Sequence, residues 1–86
     1  MIKIVAAIIY MQAHSFYPTV LHVKHNQTIT WTNESNQRHN VVIDGKTSPW
    51  IEPGQSYKYK LVKPGTYKYY CVPHRAMGMA GTIIVD

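Results

Sequence analysis

The chain has 86 residues and carries 9 Lys and Arg against 4 Asp and Glu, a net charge of +5 with histidine neutral. This length leaves room for one hydrophobic core, and we expect a single domain over residues 1–86. A hydrophobic content of 45% argues against a disordered chain, and the longest apolar run, residues 4–11, is far shorter than the roughly 20 residues of a membrane-spanning helix. The single cysteine excludes an internal disulfide, so a bound metal is the expected way to stabilise so small a core.

Short runs rich in β-branched and aromatic residues alternate with Gly, Pro and Asn turn signals along the chain. The predicted strands, in order, cover residues 4–12, 20–25, 28–32, 40–43, 56–61, 66–72 and 82–85. Short strands at roughly ten-residue spacing favour an all-β sandwich or barrel. No window carries a 3.6-residue apolar period, so little or no helix is expected.

The first of these runs has a second interpretation. Residues 3–13 resemble the core of a short signal peptide, with one lysine before a minimal apolar stretch and a poor cleavage site. The β-branched Ile and Val residues suit an N-terminal strand, which is the interpretation we favour.

Strand parity places the cysteine in the interior. Tyr67, Tyr69 and Cys71 alternate along one predicted strand and therefore share a face, which we expect to be the buried one. Trp31 is the candidate for the central aromatic residue of the core. The segment 65–67 resembles the tyrosine corner of Greek-key sandwiches.

Residues 71–79 bring together a thiol, an imidazole and thioethers, at Cys71, His74, Met77 and Met79. Soft and borderline donors of this kind select copper over hard cations, and two His with one Cys and a weak axial Met describe an electron-transfer copper site. The segment therefore predicts a copper centre that needs one more imidazole.

His39 is the best candidate for that imidazole. It follows a polar loop and opens a predicted strand, so it can lie at one pole of a sandwich beside the 71–79 segment. The other histidines lack such a setting and are expected on the surface: His14, His22 and His25.

In this order the motifs resemble those of the cupredoxins, the small blue copper proteins, and most closely their plastocyanin, pseudoazurin and amicyanin group. The matching segments are 16–18, 21–23, 30–33, 39–41, 65–67 and 71–81. The resemblance implies a Greek-key β-sandwich of about seven or eight short strands with one type 1 copper ion at one end. It assigns the metal to four ligands: His39, Cys71, His74 and Met79.

The resemblance also implies roles for neighbouring residues. Family loops place a Gly two residues after the axial Met, so Gly81 favours Met79 over Met77 as the axial ligand. Asn40 is expected to tie the two ligand-bearing strands together through its side chain, or else to be a plain turn residue. Tyr70 either opens a second route for electrons or simply packs or lies on the surface.

The function implied is a soluble one-electron carrier that cycles between Cu(II) and Cu(I), and not an enzyme. The alternative is a copper storage or delivery protein. Redox partner proteins would dock transiently on an apolar patch around His74 that includes Pro73, Ala76 and Met77, and the basic charge suits an acidic partner. Lysines 58, 60, 63 and 68 would either be simply solvated or steer such a partner. We expect no nucleic acid binding, a monomer, and an extracytoplasmic location (periplasm, lumen or outside the cell).

Overall fold

The computed structural model describes residues 7–73 and 78–86, and within these ranges it is all-β without helix. The strands are β1 Ala7–Met11, β2 Phe16–Tyr17, β3 Val20–Val23, β4 Thr28–Asn33, β5 Val42–Ile43, β6 Lys46–Thr47, β7 Ser56–Lys60, β8 Gly65–Tyr70 and β9 Ala80–Val85. The predicted all-β class is confirmed. No segment among these residues forms a helix long and apolar enough to cross a membrane.

The strands form two sheets, and the chain passes from one sheet to the other several times. The first sheet has the order β2-β1-β4-β7, and the second sheet has the order β3-β9-β8-β5-β6. The pairs β1–β4 and β3–β9 are parallel, and the remaining neighbours are antiparallel. Because the chain crosses repeatedly from one sheet to the other, as between β2 and β3, β3 and β4, or β7 and β8, the connecting loops meet at the ends of the sandwich.

Two strands of two residues each, β2 and β6, were not predicted. A two-residue strand has no measurable alternation, so its sequence carries no period. β6 depends on a tight turn in which Asp44 (φ 54°) and Gly45 (φ 72°) both have positive φ, as in type I′ hairpins. The turn itself was a visible signal, but the partner strand after it was too short to detect.

The predicted strand 40–43 is wrong in its first half, because β5 contains only Val42 and Ile43. The Val41 N–H donates to Ser48 Oγ at 2.8 Å, and the Val41 carbonyl accepts from the Ser48 N–H at 2.8 Å. These bonds to a loop residue replace the strand pairing that the apolar run suggested. Sequence periodicity does not report such side-chain competition for backbone groups.

Aromatic side chains fill the middle of the sandwich. Trp31 is fully buried, as predicted, and meets the Tyr69 ring edge-on at 5.4 Å between centroids. Phe16 also packs against Tyr69, at 4.7 Å between ring centroids and in an edge-on arrangement. Edge-to-face pairs of this kind contribute roughly 0.5–1.5 kcal/mol beyond their buried area. Tyr69 lies two residues before Cys71 on the same strand face, so this packing holds the strand that leads to the cysteine.

Gly81 is required by the position of Tyr69. A Cβ atom added at residue 81 would overlap the Tyr69 ring and its hydroxyl. The two residues face each other across the β8–β9 pair, so glycine makes room for the aromatic ring there. The predicted tyrosine corner is also present: the Tyr67 hydroxyl donates to the Lys63 carbonyl at 2.7 Å.

Candidate metal centre

Three buried donor side chains come from three separate segments at one end of the sandwich. His39 lies in the loop between β4 and β5, Cys71 directly follows β8, and Met79 directly precedes β9. All three side chains are inaccessible to solvent. His39 Nδ1 lies 3.5 Å from Cys71 Sγ, across 32 residues of sequence. The predicted convergence of His39 and Cys71 is therefore present in the fold.

A backbone hydrogen bond closes the loop that carries the sulfur donors. The Cys71 N–H donates to the Met79 carbonyl at 3.1 Å, so the β8–β9 pairing extends to these two residues. Gly78 has a φ of +79° and its carbonyl accepts from the Ala80 N–H at 2.8 Å. Glycine adopts this backbone conformation without the steric cost of a Cβ. The turn directs the chain back into β9 and leaves Met79 beside Cys71.

His39 is held by its own backbone. Its N–H donates to the Ile51 carbonyl at 3.1 Å, and its carbonyl accepts from the Ile51 N–H at 2.7 Å. The Asn33 amide also donates to the Ile51 carbonyl, at 2.8 Å. Asn33 is the last residue of β4, so the His39 backbone is fixed to the end of the first sheet.

Asn40 ties the histidine segment to the cysteine segment. Its Oδ1 accepts a hydrogen bond from the Val72 N–H at 2.9 Å, and the residue is buried. The expected link through the side chain is thus confirmed, and the alternative of a plain turn residue is not. The hydrogen bond fixes the distance between the residues that follow His39 and Cys71.

The chemistry of the donors suits copper. A thiol sulfur, an imidazole nitrogen and a thioether sulfur favour soft and borderline ions such as copper, whereas hard cations need oxygen donors. Within residues 7–73 and 78–86 no three His, Cys, Asp or Glu side chains come together as an alternative metal site. The fourth predicted ligand, His74, lies outside the described residues, as do Ala76 and Met77.

The remaining histidines have surface positions, in agreement with the prediction. The side chains of His14, His22 and His25 are exposed. His25 Nδ1 lies 3.2 Å from the carbonyl of Asp86, near the opposite end of β9 from Met79.

Sequence reasoning missed the hydrogen-bonding groups that surround His39. Ser35 Oγ lies 2.9 Å from His39 Nε2, and Asn33 lies behind Ser35 with its oxygen 2.7 Å from the hydroxyl. The spacing of four residues between Ser35 and His39 could have drawn attention to a local contact, since short polar side chains often bond within a loop. Nothing in the sequence, however, gave the conformation of that loop.

Tyr69 is an ionisable side chain buried next to this site, and burial changes its pKa. The Tyr69 hydroxyl and the Trp31 indole N–H make no well-formed hydrogen bond within the part of the chain that the structure describes. Removal from water raises the pKa of Tyr69 above its ordinary value, and the nearby Trp31 indole lowers it by less. The tyrosine therefore stays neutral, and the core beneath the site carries no added charge.

An all-β sandwich with buried His, Cys and Met donors at one pole defines the cupredoxin class. A model of the family described as "Copper binding proteins, plastocyanin/azurin family" matches residues 5–86. The chain belongs to this family. The plastocyanins of this family are blue copper electron carriers with one type 1 copper, and the family membership gives the chain this function and this cofactor.

Individual relatives agree with this assignment. The chain is 36% identical to plastocyanin of Scenedesmus fuscus, with 83% of this chain and 86% of that protein covered. It is 35% identical to the chloroplastic plastocyanin of Chlamydomonas reinhardtii, with 86% of this chain but only 60% of that protein covered.

Solved structures show the same fold. A reduced amicyanin variant superposes with a TM-score of 0.86 at 28% identity, over 94% of this chain and 82% of that one. A purple cupredoxin from Nitrosopumilus maritimus superposes with a TM-score of 0.85 at 25% identity, over 93% of this chain and 99% of that one.

Proposed function

We propose that His39, Cys71, His74 and Met79 together hold the copper ion through which the chain carries one electron between redox partners. The observation that carries the proposal is the 3.5 Å approach of His39 Nδ1 to Cys71 Sγ, with both side chains inaccessible to solvent. When bound, copper supplies one-electron chemistry by alternating between Cu(II) and Cu(I).

The contribution of the chain is to hold its donors in one arrangement. The two oxidation states of copper favour different geometries, so a site that moves little lowers the cost of changing state. Three hydrogen-bonded links restrict movement here: Cys71 to Met79, His39 to Ile51 and Asn40 to Val72. Burial of the three described donors also keeps water from the sulfur atoms.

A carrier and a copper-delivery protein differ in how readily they release the ion. The family membership favours the carrier, and we propose no enzymatic activity for the chain. The test is repeated reduction and reoxidation of the copper-loaded protein in the presence of a Cu(I) chelator. We expect one electron per copper at a single potential, with the metal retained over many cycles. Rapid transfer of copper to the chelator without a reversible potential would instead support copper delivery.

The exposed groups around the site support a docking surface. Val72 and Trp50 are about half exposed, Pro73 is exposed, and the Arg38 guanidinium lies 4.3 Å above the Trp50 ring. Arg38 and Trp50 directly precede the bridged residues His39 and Ile51. We propose that these side chains, with His74, form the surface on which a partner docks transiently. The cation at its edge suits an acidic partner.

The four lysines considered for steering do not form one stripe. Lys58 and Lys60 lie on the outward face of β7, whereas Lys68 lies on β8 in the other sheet, and Lys63 lies in the loop between these strands. All four are exposed. Among the described residues, Arg38 is the cation next to a proposed ligand, so we propose that steering depends on the net positive charge and on Arg38.

Small inorganic reductants of opposite charge test this electrostatic proposal. We expect reduction of the Cu(II) protein by ferrocyanide to slow as ionic strength rises, and reduction by hexaammineruthenium(II) to accelerate. Arg38→Gln should weaken the ionic-strength dependence of reduction by ferrocyanide more than Lys60→Gln does, although each variant removes one positive charge. Lys60 pairs with Thr28 at the end of β4 remote from Asn33, and so lies away from the site. Equal effects of the two variants would contradict a local role for Arg38.

We also propose that residues 1–86 act as one domain and one monomer in an extracytoplasmic compartment. A single buried cluster runs through both sheets, which supports one domain. The location is supported by the family alone, because several relatives are named as chloroplastic plastocyanins. Sedimentation of the copper-loaded protein would test the monomeric state, and fractionation of its native cells would test the location.

A further inference from the structure

The hydroxyl of Ser35 occupies a junction of hydrogen bonds beside His39. Ser35 Oγ lies 2.7 Å from Asn33 Oδ1, 2.9 Å from the Gln37 carbonyl, 2.9 Å from His39 Nε2 and 3.2 Å from the Gln37 backbone nitrogen. A serine hydroxyl has one hydrogen to donate and two lone pairs to accept with. The direction of each bond at this junction can therefore be worked out by counting hydrogens.

The orientation of Asn33 is fixed first. Its side-chain nitrogen donates to two carbonyl oxygens, those of Gln37 at 2.7 Å and Ile51 at 2.8 Å. Its oxygen faces the Ser35 N–H at 2.9 Å and the Ser35 hydroxyl. A flipped amide would set its oxygen against two carbonyls, so the recorded orientation is the one that the network permits.

The direction of the Ser35 hydrogen follows from that orientation. Asn33 Oδ1 and the Gln37 carbonyl oxygen are both pure acceptors, so neither can donate to Ser35 Oγ, and the Ser35 hydrogen points toward them, with the shorter contact to Asn33 Oδ1. Each of these oxygens also accepts a further hydrogen, from the Ser35 N–H and from the Asn33 amide respectively. The two lone pairs of Ser35 Oγ then accept from the Gln37 N–H and from the N–H of His39 Nε2. This assignment gives every group at the junction a partner.

We propose that Ser35 is a positioning residue that fixes the tautomer and ring orientation of His39. With its hydrogen on Nε2, the imidazole has an unprotonated Nδ1, which is the atom that lies 3.5 Å from Cys71 Sγ. A neutral imidazole binds a metal through its unprotonated nitrogen, and the partner of the other nitrogen decides which one that is. Asn33 is the last residue of β4, so the end of that strand helps to set the orientation of the His39 ring.

The inference rests on the proposed copper function, but its first test does not require copper. In the metal-free protein, ¹⁵N NMR of the imidazole distinguishes the two tautomers. We expect His39 of the wild type to carry its hydrogen on Nε2 and Ser35→Ala to show a mixture. Ser35→Thr keeps the hydroxyl and should restore the single tautomer. A wild-type His39 with its hydrogen on Nδ1 would overturn the proposal.

The second test measures the metal. Loss of such a partner typically lowers metal affinity by about 10-fold to 100-fold, so we expect Ser35→Ala to bind Cu(II) at least 10-fold more weakly in a chelator competition, with a shifted potential. Ser35→Thr should recover both. Ser56→Ala is the matched control, because its hydroxyl pairs with Thr32 Oγ1 at 3.0 Å on the exposed face of the first sheet.

The possible failures can be told apart. A wild type that binds no copper overturns the copper function and this inference together. A wild type with a normal copper site and a Ser35→Ala variant of unchanged affinity and potential overturns the inference alone. If Ser56→Ala weakens copper binding as much as Ser35→Ala does, the effect is general destabilisation, and the positioning role is overturned.

Discussion

Asn40 illustrates how one side chain serves both folding and the site. Its oxygen satisfies the backbone N–H of Val72, and both residues directly follow proposed ligands. A backbone N–H that loses its partner in a partly buried place costs about 1–3 kcal/mol. The same hydrogen bond sets the separation of the histidine and cysteine segments, so stability and metal geometry depend on it together.

Replacing Asn40 should therefore affect two measurements. We expect Asn40→Ala to lower the free energy of unfolding of the metal-free protein by about 1–3 kcal/mol and to weaken copper binding. Asn40→Asp keeps an acceptor oxygen and should recover part of both losses. Urea denaturation and chelator competition are the measurements. Asn36→Ala, at an exposed loop position, serves as control, and an equal loss there would refute the link.

Residues whose role depends on strand parity could be predicted, and residues whose role depends on loop conformation could not. Burial of Cys71 and Trp31 follows from alternation and apolar character alone. Ser35 and Asn33 act through a folded loop in which atoms four residues apart come within hydrogen-bonding distance. No periodic pattern encodes that arrangement, and His74 lies outside the described residues, so its assignment remains a prediction.

At the level of elements, a side-chain hydrogen bond joins the turn of the β5–β6 hairpin to the opposite sheet. The Tyr59 hydroxyl on β7 donates to Asp44 Oδ2 in the hairpin turn at 3.3 Å. Burial, followed by the charge of Asp44 and this hydrogen bond, raises the pKa of Tyr59 above its ordinary value of 10.0. The folded state therefore holds the tyrosine proton more tightly than the unfolded state does.

The raised pKa of Tyr59 gives a direction for alkaline stability. Below about pH 10 the contribution of Tyr59 to the stability of the folded state is fully present. As the pH rises, Tyr59 ionises first in the unfolded state, and the contribution is lost by the time the pH has passed the pKa of the folded state. We expect Asp44→Asn to lower the pKa of Tyr59 toward the ordinary value, since the charge is removed while Asn tolerates the positive φ of this position. NMR titration of the Tyr59 ring in the wild type and in the variant measures this pKa. Asp86→Asn is the control, and an unchanged pKa in Asp44→Asn would contradict the account.

Element boundaries were predicted where strands are long and missed where they are short. The alternating run of β7 gave both its position and its faces, with tyrosines half-buried and lysines exposed. The two-residue strands exist only because neighbouring chain segments supply their partners. The family resemblance implied a Greek-key sandwich, but the order of strands in each sheet was not predicted, since no local pattern specifies which strands become neighbours.

At the level of the whole molecule, one small core without a disulfide has limited stability of its own. A ligand that binds only the folded state adds to that stability by mass action, about 2.7 kcal/mol when its free concentration is 100 times Kd. For a domain of this size, such an increase corresponds to a rise in Tm of roughly 10–20 °C.

The copper-loaded protein should therefore melt well above the metal-free protein. Calorimetry of both forms measures the difference, which we expect to shrink sharply in Cys71→Ser. His25→Gln, which changes an exposed histidine far from the site, should keep the full difference. Equal melting temperatures of the two wild-type forms would show that copper does not stabilise this fold.

The measurement that tests the central claim most directly is the visible spectrum of the protein after addition of one equivalent of Cu(II). A thiolate bound to Cu(II) in such a site gives an intense charge-transfer band in the visible range. We expect this band in the wild type and in His25→Gln, and its loss in Cys71→Ser. We also expect it to be lost or strongly altered in His39→Ala and His74→Ala. A colourless wild type, or a band that survives in Cys71→Ser, would contradict the account.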